Sequence, residues 1–457
     1  MPRNKAVITG LGVLCSIGTG SEEYFEALLA GKSGIRSLAD RTDDEAKPGT
    51  VNKPGGLWIG GPIVDFEAKQ HVKPRKALKV MCREIRTAYV ASQIAVQHAG
   101  LDQSSPASLD GKVLPADVAT IFGGEMYYGP PLEMRDSILA CFDQETIDPE
   151  TNEPTLHVGK FGAAAKKEVM PLWMLKFLPN MPACHVGISV NAHGPNNTLV
   201  VGDTSGPAAL IESISCIERG LAKVVINGVA GTRISTTRMN YRNDLPIGES
   251  IEPVELSSRP HDPDSVGVIG GEAAGVLIVE SIQHAKERGA NVLAAAVGYA
   301  SRFVGSGAMT SGKRTAEVSD SECRGSSKAI RLAIDAALAD AAITAEQVGL
   351  IVSHGGGDPV IDAAERAAIA GDFDEVPMIA PIGAIGHTGP ASGQMAIITG
   401  VLCLMHKKIP PTINASRSSA GANLLEHATQ LQSDYVLCLS HTSEGNAVAV
   451  VLSTVDS

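Results

Sequence analysis

The stretch Gly194-Pro-Asn-Asn-Thr-Leu-Val-Val-Gly-Asp-Thr-Ser-Gly206 predicts a strand that leads directly into the N-terminus of a helix. After this stretch, apolar residues recur at helical spacing at Leu210, Ile211, Ile214 and Ile217. A helix N-terminus carries free backbone N–H groups and a partial positive charge, which favour an anionic side chain. Asp203 is therefore expected at a position where a charged or reactive group is electrostatically stabilised.

The same alternation of strand and helix extends along the whole chain. A strand over 5–12 precedes a helix from Ser21 to Ala30, for which Ser21 is the predicted N-cap and Gly31 the stop. Further strands are predicted at 118–122, 223–229, 274–279, 291–299 and 350–353, and further helices at 83–99 and 326–342. This order predicts a layered α/β protein whose sheets are covered by helices.

Two long segments are predicted to lack regular structure. Residues 40–61 are polar and rich in glycine and proline, which is typical of a loop. Residues 127–167 are interpreted as a long irregular insertion. Such insertions commonly hold binding surfaces, so this one is a candidate for the mouth of a pocket or for an interface.

Composition and charge exclude several classes of protein. The chain has 457 residues, of which 44% are hydrophobic and 19% charged, enough to bury a large core. A net charge of −12 argues against a general binder of nucleic acids or anionic membranes, because phosphates need a basic excess. The eight cysteines form no CxxC pair, which favours reduced thiols over disulfides or a zinc site.

The sequence also predicts that the protein is soluble and cytoplasmic. No apolar run approaches the roughly 20 residues that a membrane-spanning helix needs. The apolar run over 6–17 follows Arg3 and Lys5 and could imitate a signal peptide. Four glycines through Gly20 and the absence of a small-residue cleavage site favour a first core strand instead.

Several motifs carry a resemblance to one family. They are Ala6-Val-Ile-Thr-Gly-Leu-Gly-Val13, Leu28-Leu-Ala-Gly-Lys-Ser-Gly-Ile35, Ser258-Arg-Pro-His-Asp262, Gly270-Gly-Glu-Ala-Ala-Gly-Val276, His354-Gly-Gly-Gly357, Gly386-His387 and Ile409-Pro-Pro-Thr-Ile-Asn414. Together with the stretch around Asp203, they run in the order found in β-ketoacyl-acyl carrier protein synthases, and nearly the whole chain resembles these condensing enzymes. A dinucleotide site at Gly10-x-Gly12 is disfavoured because the third glycine is missing and no helix begins there.

This resemblance implies a fold and a set of partners. The fold is thiolase-like: five layers, α/β/α/β/α, built from two similar halves that we place at residues 1–285 and 286–457. The family's pocket is completed near a two-fold interface, so the resemblance implies a homodimer or a heterodimer with a cysteine-containing synthase paralogue. An acyl carrier protein is the implied further partner. No cofactor and no nucleic acid are expected.

The resemblance also assigns the active constellation. In this family a cysteine thiolate at a helix N-terminus accepts the acyl chain, and two histidines assist malonyl decarboxylation and condensation. Asp203 stands at the cysteine position, while His354 and His387 match the two histidines. Ile382 replaces the lysine of the family's KSxxGH motif, and Thr442 is aligned with the aromatic gate.

The aspartate argues against ordinary condensation. A carboxylate that attacked a thioester would form a high-energy mixed anhydride, and its charge would repel malonate. If Asp203 is ionised, it also cannot donate a hydrogen bond to an enolate or oxyanion. Neither Cys184 nor Cys216 is an evident substitute, because Cys184 precedes the strand and Cys216 lies about three turns further along the helix.

Alternatives remain for each residue and for the whole chain. Asp203 could be a simple N-cap, the two histidines could be inherited buried residues, and Glu272 and Asp262 are interpreted as structural. The chain could be a partner subunit similar to chain-length factors, which typically carry glutamine at the cysteine position. It could instead be a decarboxylase or acyltransferase in which Asp203 acts as a general base. Two imidazoles and a carboxylate are also the ligand set of facial-triad metal centres.

Overall fold

A computed structural model describes residues 5–38, 59–101, 113–129, 131–234, 245–307, 324–417 and 423–455. Most of the loop predicted at 40–61 lies outside these ranges. The described α-helices are α1 (Ser21–Leu29), α2 (Ala68–His71), α3 (Arg83–His98), α4 (Arg135–Leu139), α5 (Phe161–Glu168), α6 (Met181–Ser189), α7 (Ser205–Glu218), α8 (Ile282–Glu287), α9 (Ser327–Ala341), α10 (Pro359–Ile369), α11 (Ile382–Ile385) and α12 (Ser392–His406).

The larger of the two main sheets has six strands, all from the first 281 residues. In spatial order they are β2 (Gly18–Thr19), β1 (Ala6–Cys15), β10 (Glu272–Ser281), β9 (Val224–Thr232), β5 (Val118–Gly123) and β8 (Asn196–Leu199). Strands β9, β5 and β8 are mutually parallel, whereas β1 and β10 are antiparallel neighbours. β9 and β10 are buried along their full length, as expected for strands covered on both faces.

The second main sheet has five strands, all from residue 295 onward. In spatial order they are β11 (Ala295–Phe303), β17 (Asn446–Ser453), β16 (Tyr435–His441), β12 (Val348–Val352) and β13 (Met378–Ile379). Three two-stranded sheets complete the described strands: β3 (Arg36–Ser37) with β4 (Ile59–Gly60), β6 (Phe142–Ile147) with β7 (Pro154–Leu156), and β14 (Lys408–Ile409) with β15 (Thr429–Gln430). The boundary predicted at 285/286 falls within α8 and stays a prediction.

Helices separate and cover the two main sheets. α7 and α12 lie between the sheets, α3 packs on the outer face of the six-stranded sheet, and α9 packs on the outer face of the five-stranded sheet. α12 is buried from Ser392 to Leu404 on all sides, which is the pattern of a central helix. The order of layers is therefore α/β/α/β/α, as the sequence predicted.

Two details of the predicted elements are wrong. α1 begins at Ser21, but its N-cap residue is Gly20 and no side chain caps the helix. The insertion over 127–167 is not irregular, because it contains α4, the β6–β7 hairpin and most of α5. In both places the structure is determined by packing that the local sequence pattern does not reveal.

Within the described ranges, every helix is too short or too polar to cross a lipid bilayer.

Glu272 and Asp262 have the structural roles predicted for them. Glu272 is 1% exposed and accepts hydrogen bonds from Arg83 Nε at 2.6 Å and from Thr232 Oγ1 at 2.9 Å. Asp262 pairs with Arg259, at 3.2 Å between Oδ2 and Nη1. The Arg83 pair ties the start of α3 to the start of β10 and so fixes the outer helix on its sheet.

We predict that Arg83→Met lowers the free energy of unfolding by about 3–5 kcal/mol, because it leaves the buried Glu272 carboxylate without its guanidinium. Urea denaturation at pH 7 measures this change. Arg135→Met is the matched control: Arg135 pairs with Asp136 on the exposed surface, where solvent screens the ion pair and its loss should have little effect on stability. Equal effects of the two substitutions would contradict the role assigned to the buried pair.

Candidate active site

Asp203 lies in a short turn between the edge strand β8 and the central helix α7. Residues Gly202–Thr204 form one turn of 3-10 helix, and Gly202 has a φ of +67°, which glycine adopts without strain. The N-cap of α7 is Thr204, and no side chain makes a capping hydrogen bond. The hypothesis that Asp203 is the N-cap is therefore wrong, and its carboxylate is directed to other partners.

The structure brings together the three residues that the resemblance selected. Asp203 Oδ2 lies 3.2 Å from His387 Nε2 and 4.0 Å from His354 Nε2. The three residues are 4%, 2% and 4% exposed, respectively, so they meet in the interior. The cluster therefore connects the N-terminal end of α7 to two loops: the loop after β12, which carries His354, and the loop after α11, which carries His387.

His354 is held by the loop that follows β12. Asp362 of α10 is fully buried, and its carboxylate accepts hydrogen bonds from Gly356 N at 2.9 Å and from Gly357 N at 3.0 Å. It also accepts one from His261 N at 2.7 Å. This one side chain replaces the hydrogen bonds that the backbone of the glycine-rich loop would otherwise make to water.

His387 is held by backbone contacts on both sides. Its N–H donates to Ile269 O at 2.7 Å, and its carbonyl oxygen accepts from Gly271 N at 2.8 Å. Its Nδ1 accepts a hydrogen bond from Gly389 N at 3.3 Å. Because Nδ1 is an acceptor, the ring proton of the neutral imidazole sits on Nε2, the atom that faces Asp203.

Arg233 is a fourth member of the site that sequence reasoning missed. It is 3% exposed, and its Nη2 lies 3.1 Å from Glu125 Oε2 and 3.7 Å from Asp203 Oδ1. Glu125 follows β5 and Arg233 follows β9, and these two strands are parallel neighbours. Their positions in the sequence could have predicted this contact, because charged residues that directly follow adjacent parallel strands meet at one edge of the sheet.

His441 and Glu365 are two more members that the sequence analysis missed. His441 Nε2 lies 2.7 Å from Glu365 Oε2, and the ring centroids of His441 and His354 are 4.7 Å apart. Thr442, which was aligned with the aromatic gate, instead closes the β16–β17 turn, where its Oγ1 accepts from Asn446 N at 3.3 Å. His441 and Ser443 are the residues of this turn that line the cavity.

The electrostatics of the site fix two protonation states. Burial opposes ionisation of Asp203, but His387, Arg233 and His354 outweigh it and hold the pKa of the carboxyl below its usual range. Burial, followed by the neighbouring His441, lowers the pKa of His354 to about 3 despite the attraction of Asp203. At neutral pH the site therefore contains a carboxylate beside an uncharged imidazole.

The space left between these side chains is small. A cavity of about 10 Å³ is lined by Asp203, His354, His387, His441, Val268, Leu245 and a few neighbours. Such a volume is about the minimum that holds one water molecule. Neither Cys184 nor Cys216 lines it, and burial raises the pKa of the Cys216 thiol. Within the described residues no thiol lines this cavity.

The donor set does not fit a metal ion. One ligand atom each from Asp203, His354 and His387 lies within 4.8 Å of the others. A metal-bound imidazole offers its lone pair to the metal and donates its other N–H to a second shell. His387 does the reverse, since its far nitrogen accepts the Gly389 N–H, and His354 Nδ1 has no hydrogen-bond partner within the described residues. We therefore interpret the cluster as ion-paired.

We predict that His354 makes stability fall with acidification. Its folded-state pKa of about 3 lies below the unfolded value of about 6.5, so the unfolded chain binds the extra proton between these limits. Stability from this group is complete above about pH 6.5 and falls by up to about 1.4 kcal/mol per pH unit below it. Urea denaturation at pH 7, 6 and 5 should show a smaller slope for His354→Gln than for wild type. The exposed His193→Gln serves as control, and equal slopes would contradict the assignment.

We predict that Asp203→Cys creates a thiol with a lowered pKa that reagents reach only slowly. The helix N-terminus and the Arg233 guanidinium should lower its pKa to about 5–7, so the variant should gain thiolate absorbance over wild type near neutral pH. Iodoacetamide should label this thiol slowly in the folded protein and fully after denaturation, because the side chain is 4% exposed beside a cavity of about 10 Å³. Peptide mass mapping against labelled wild type separates the new thiol from native cysteines. Rapid labelling of the folded variant would contradict the placement of residue 203.

Known proteins match this chain over most of its length. The model of the β-ketoacyl synthase N-terminal domain matches residues 3–285, and that of the C-terminal domain matches residues 301–416. The 3-oxoacyl-(acyl-carrier-protein) synthase 2 of Synechocystis sp. is 28% identical over 433 residues, which cover 91% of this chain and 88% of the relative.

Two solved structures share the architecture. One is the ishigamide ketosynthase/chain length factor, with a TM-score of 0.76, 23% identity and coverage of 99% of this chain and 100% of that one. The other is a type II polyketide synthase acyl-carrier protein in complex with its ketosynthase bound to the hexaketide, with a TM-score of 0.75, 19% identity and the same coverages. The protein therefore belongs to the β-ketoacyl synthase family and has the thiolase-like fold that its sequence predicted.

Proposed function

We propose that this chain is a non-condensing partner subunit of an active β-ketoacyl synthase in fatty-acid or polyketide-type chain elongation, similar to a chain-length factor. The observation that carries the proposal is the ionised, ion-paired Asp203 carboxylate at the position of the family's cysteine nucleophile. One structural neighbour is itself a ketosynthase/chain length factor, which supports the same assignment.

The surroundings of Asp203 support the loss of condensation. His387 Nε2, the hydrogen-bond donor that would serve an acyl carbonyl or enolate, lies 3.2 Å from the carboxylate. The site also lacks the lysine of the family motif, because Ile382 is a buried aliphatic residue in its place. An anionic site without that cation repels a malonyl group instead of binding it.

The alternative, a decarboxylase or acyltransferase that uses Asp203, His354 and His387, is less well supported. A general base works best when its pKa lies near the working pH. The pKa of Asp203 lies below its usual range and that of His354 is lowered to about 3, so both are weak bases. A cavity of about 10 Å³ also leaves no volume for a carrier-bound acyl group beside them.

The edge of the six-stranded sheet supports pairing with a second subunit. Among the strands that the structure describes, β8 is at the edge of this sheet, and a free strand edge is a template for pairing with another chain. Two apolar side chains near β8 in the sequence are exposed: Ile188 in α6 is 78% exposed, and Val200, directly after β8, is 44% exposed. We propose a cysteine-containing synthase paralogue as the occupant, with a homodimer as the competing outcome. We also propose that this chain consists of two similar halves that meet at 285/286.

A basic segment supports docking of an acyl carrier protein. Five exposed cations lie within eleven residues, although the whole chain has a net charge of −12. They are Lys69, Lys73, Arg75, Lys76 and Lys79. Such a patch attracts an acidic partner by long-range electrostatics and fits an acidic carrier.

The partner-subunit proposal is tested by co-expressing the tagged chain with synthase paralogues from its source. We expect a stoichiometric heterodimer and no decarboxylation of malonyl-carrier by the isolated chain. Val200→Asp should abolish co-purification, because it places a charge beside the pairing edge. Leu332→Asp, at a similarly exposed site on α9, should leave it intact. Turnover by the isolated chain that disappears in His387→Ala would instead establish the enzyme alternative.

The carrier proposal is tested by charge reversal. Arg75→Glu with Lys76→Glu should weaken carrier binding about fivefold or more and reduce its salt dependence, since these rim charges steer association. Lys328→Glu, an exposed cation on α9, is the control and should leave the affinity unchanged. Titration calorimetry of the heterodimer with the carrier at two ionic strengths gives both quantities, and equal effects of the variants would remove the assignment.

A further inference from the structure

A second carboxylate–imidazole pair lies behind the site. His441 Nε2 donates to Glu365 Oε2 at 2.7 Å, and the two residues are 1% and 0% exposed. A buried carboxylate needs a charged or strongly hydrogen-bonding partner to remain ionised. Burial opposes ionisation of Glu365, but its contacts with His441 outweigh it and lower its pKa to about 2. His441 is therefore the group that compensates this charge.

The same helix holds His354 in two ways. α10 carries Asp362 and Glu365 one turn apart on its buried face. Asp362 binds the backbone N–H groups of the loop that follows His354. Glu365 orients His441, whose ring meets the His354 ring at a centroid distance of 4.7 Å and an interplanar angle of 61°. The Asp362 carboxylate thus fixes the loop that carries His354. The Glu365 carboxylate fixes His441, whose ring packs against the His354 imidazole.

We infer that His441, oriented by Glu365, is a positioning residue that holds the His354 ring toward Asp203 and keeps it uncharged. A cation on His441 would lie within van der Waals distance of His354 and would oppose a second positive charge there. This inference goes beyond the proposed partner role, because it concerns the buried site alone and holds whichever subunit binds outside.

Other charged and titratable groups also surround these rings and must be considered. They are Asp203 before α7, Arg233 after β9, His261 in the loop before β10, Asp358 and Asp362 at α10, and His387 after α11. Asp203 attracts a proton to His354, whereas His387 opposes it less strongly than His441 does. Removing His441 should therefore raise the pKa of His354, because the strongest opposing charge is gone and Asp203 remains, although burial still opposes the charged form.

The test is a titration of His354 by ¹³C NMR of histidine-labelled protein between pH 8 and 5, with the signal assigned from His354→Gln. In wild type we expect no titration of this signal above about pH 5. In His441→Gln we expect a midpoint above about pH 5, at least one pH unit above wild type. In Glu365→Gln, where His441 loses its counter-charge, we expect a smaller rise, because Glu365 itself attracts a proton to His354, though more weakly than His441 opposes it. The second variant keeps the test usable if the first does not fold, because it removes the buried charge.

The matched control is His284→Gln. His284 forms a similar buried pair with Glu280, at 2.7 Å between Nδ1 and Oε2, at the start of α8. The His284→Gln variant should leave the His354 signal unchanged. If the loss of any buried pair perturbed the structure in a general way, the His354 signal would shift in this control as well. An unaltered His354 signal in folded His441→Gln or Glu365→Gln would overturn the inference. Co-purification with a synthase paralogue should be unaffected in all variants, so that result is independent of the proposed function.

Discussion

The arrangement of the site depends on one constraint, a carboxylate that must stay ionised without water. Asp203 is 4% exposed, and a charge at that depth is stable only beside opposite charge or strong donors. His387 supplies a donor at 3.2 Å, and Arg233 supplies a positive charge at 3.7 Å. Arg233 is shared with Glu125, so the ends of β5 and β9 are bound into the same cluster. The carboxylate thereby ties the N-terminal end of the central helix to both halves of the chain.

The interior on this side contains two charge clusters with a neutral ring between them. Asp203, Arg233 and Glu125 form one cluster, and Glu365 with His441 forms the other. His354 lies between them: its Nε2 is 4.0 Å from Asp203 Oδ2, and its ring centroid is 4.7 Å from that of His441. A charge on His354 would gain from one neighbour and lose to the other, while burial would oppose it in either case. His354 is therefore uncharged because of its buried position between these groups.

The sequence predicted the layers and the three central residues, but not their charge partners. Strands such as β9 and helices such as α3 could be predicted because a buried face imposes a local spacing of apolar residues. Asp203, His354 and His387 could be predicted because motif order transfers from the family. Glu125 and Arg233 are 108 residues apart, and Glu365 and His441 are 76 apart, so no local pattern links them. The N-cap predicted for Asp203 failed for the same reason, since distant partners outcompete the local one.

Three separate features of the site support the proposed loss of the family's condensation chemistry. A thiol at position 203 would still face a cavity of about 10 Å³, and Ile382 would still supply no cation. Arg233 would still pair with Glu125, so the ends of β5 and β9 would remain joined. The proposed loss of condensation therefore depends on a replaced nucleophile, a missing lysine and a small cavity, and no single substitution would reverse all three. A protein that keeps the fold and its surfaces while closing its centre is best suited to act through its exterior, which is where the proposed subunit and carrier contacts lie.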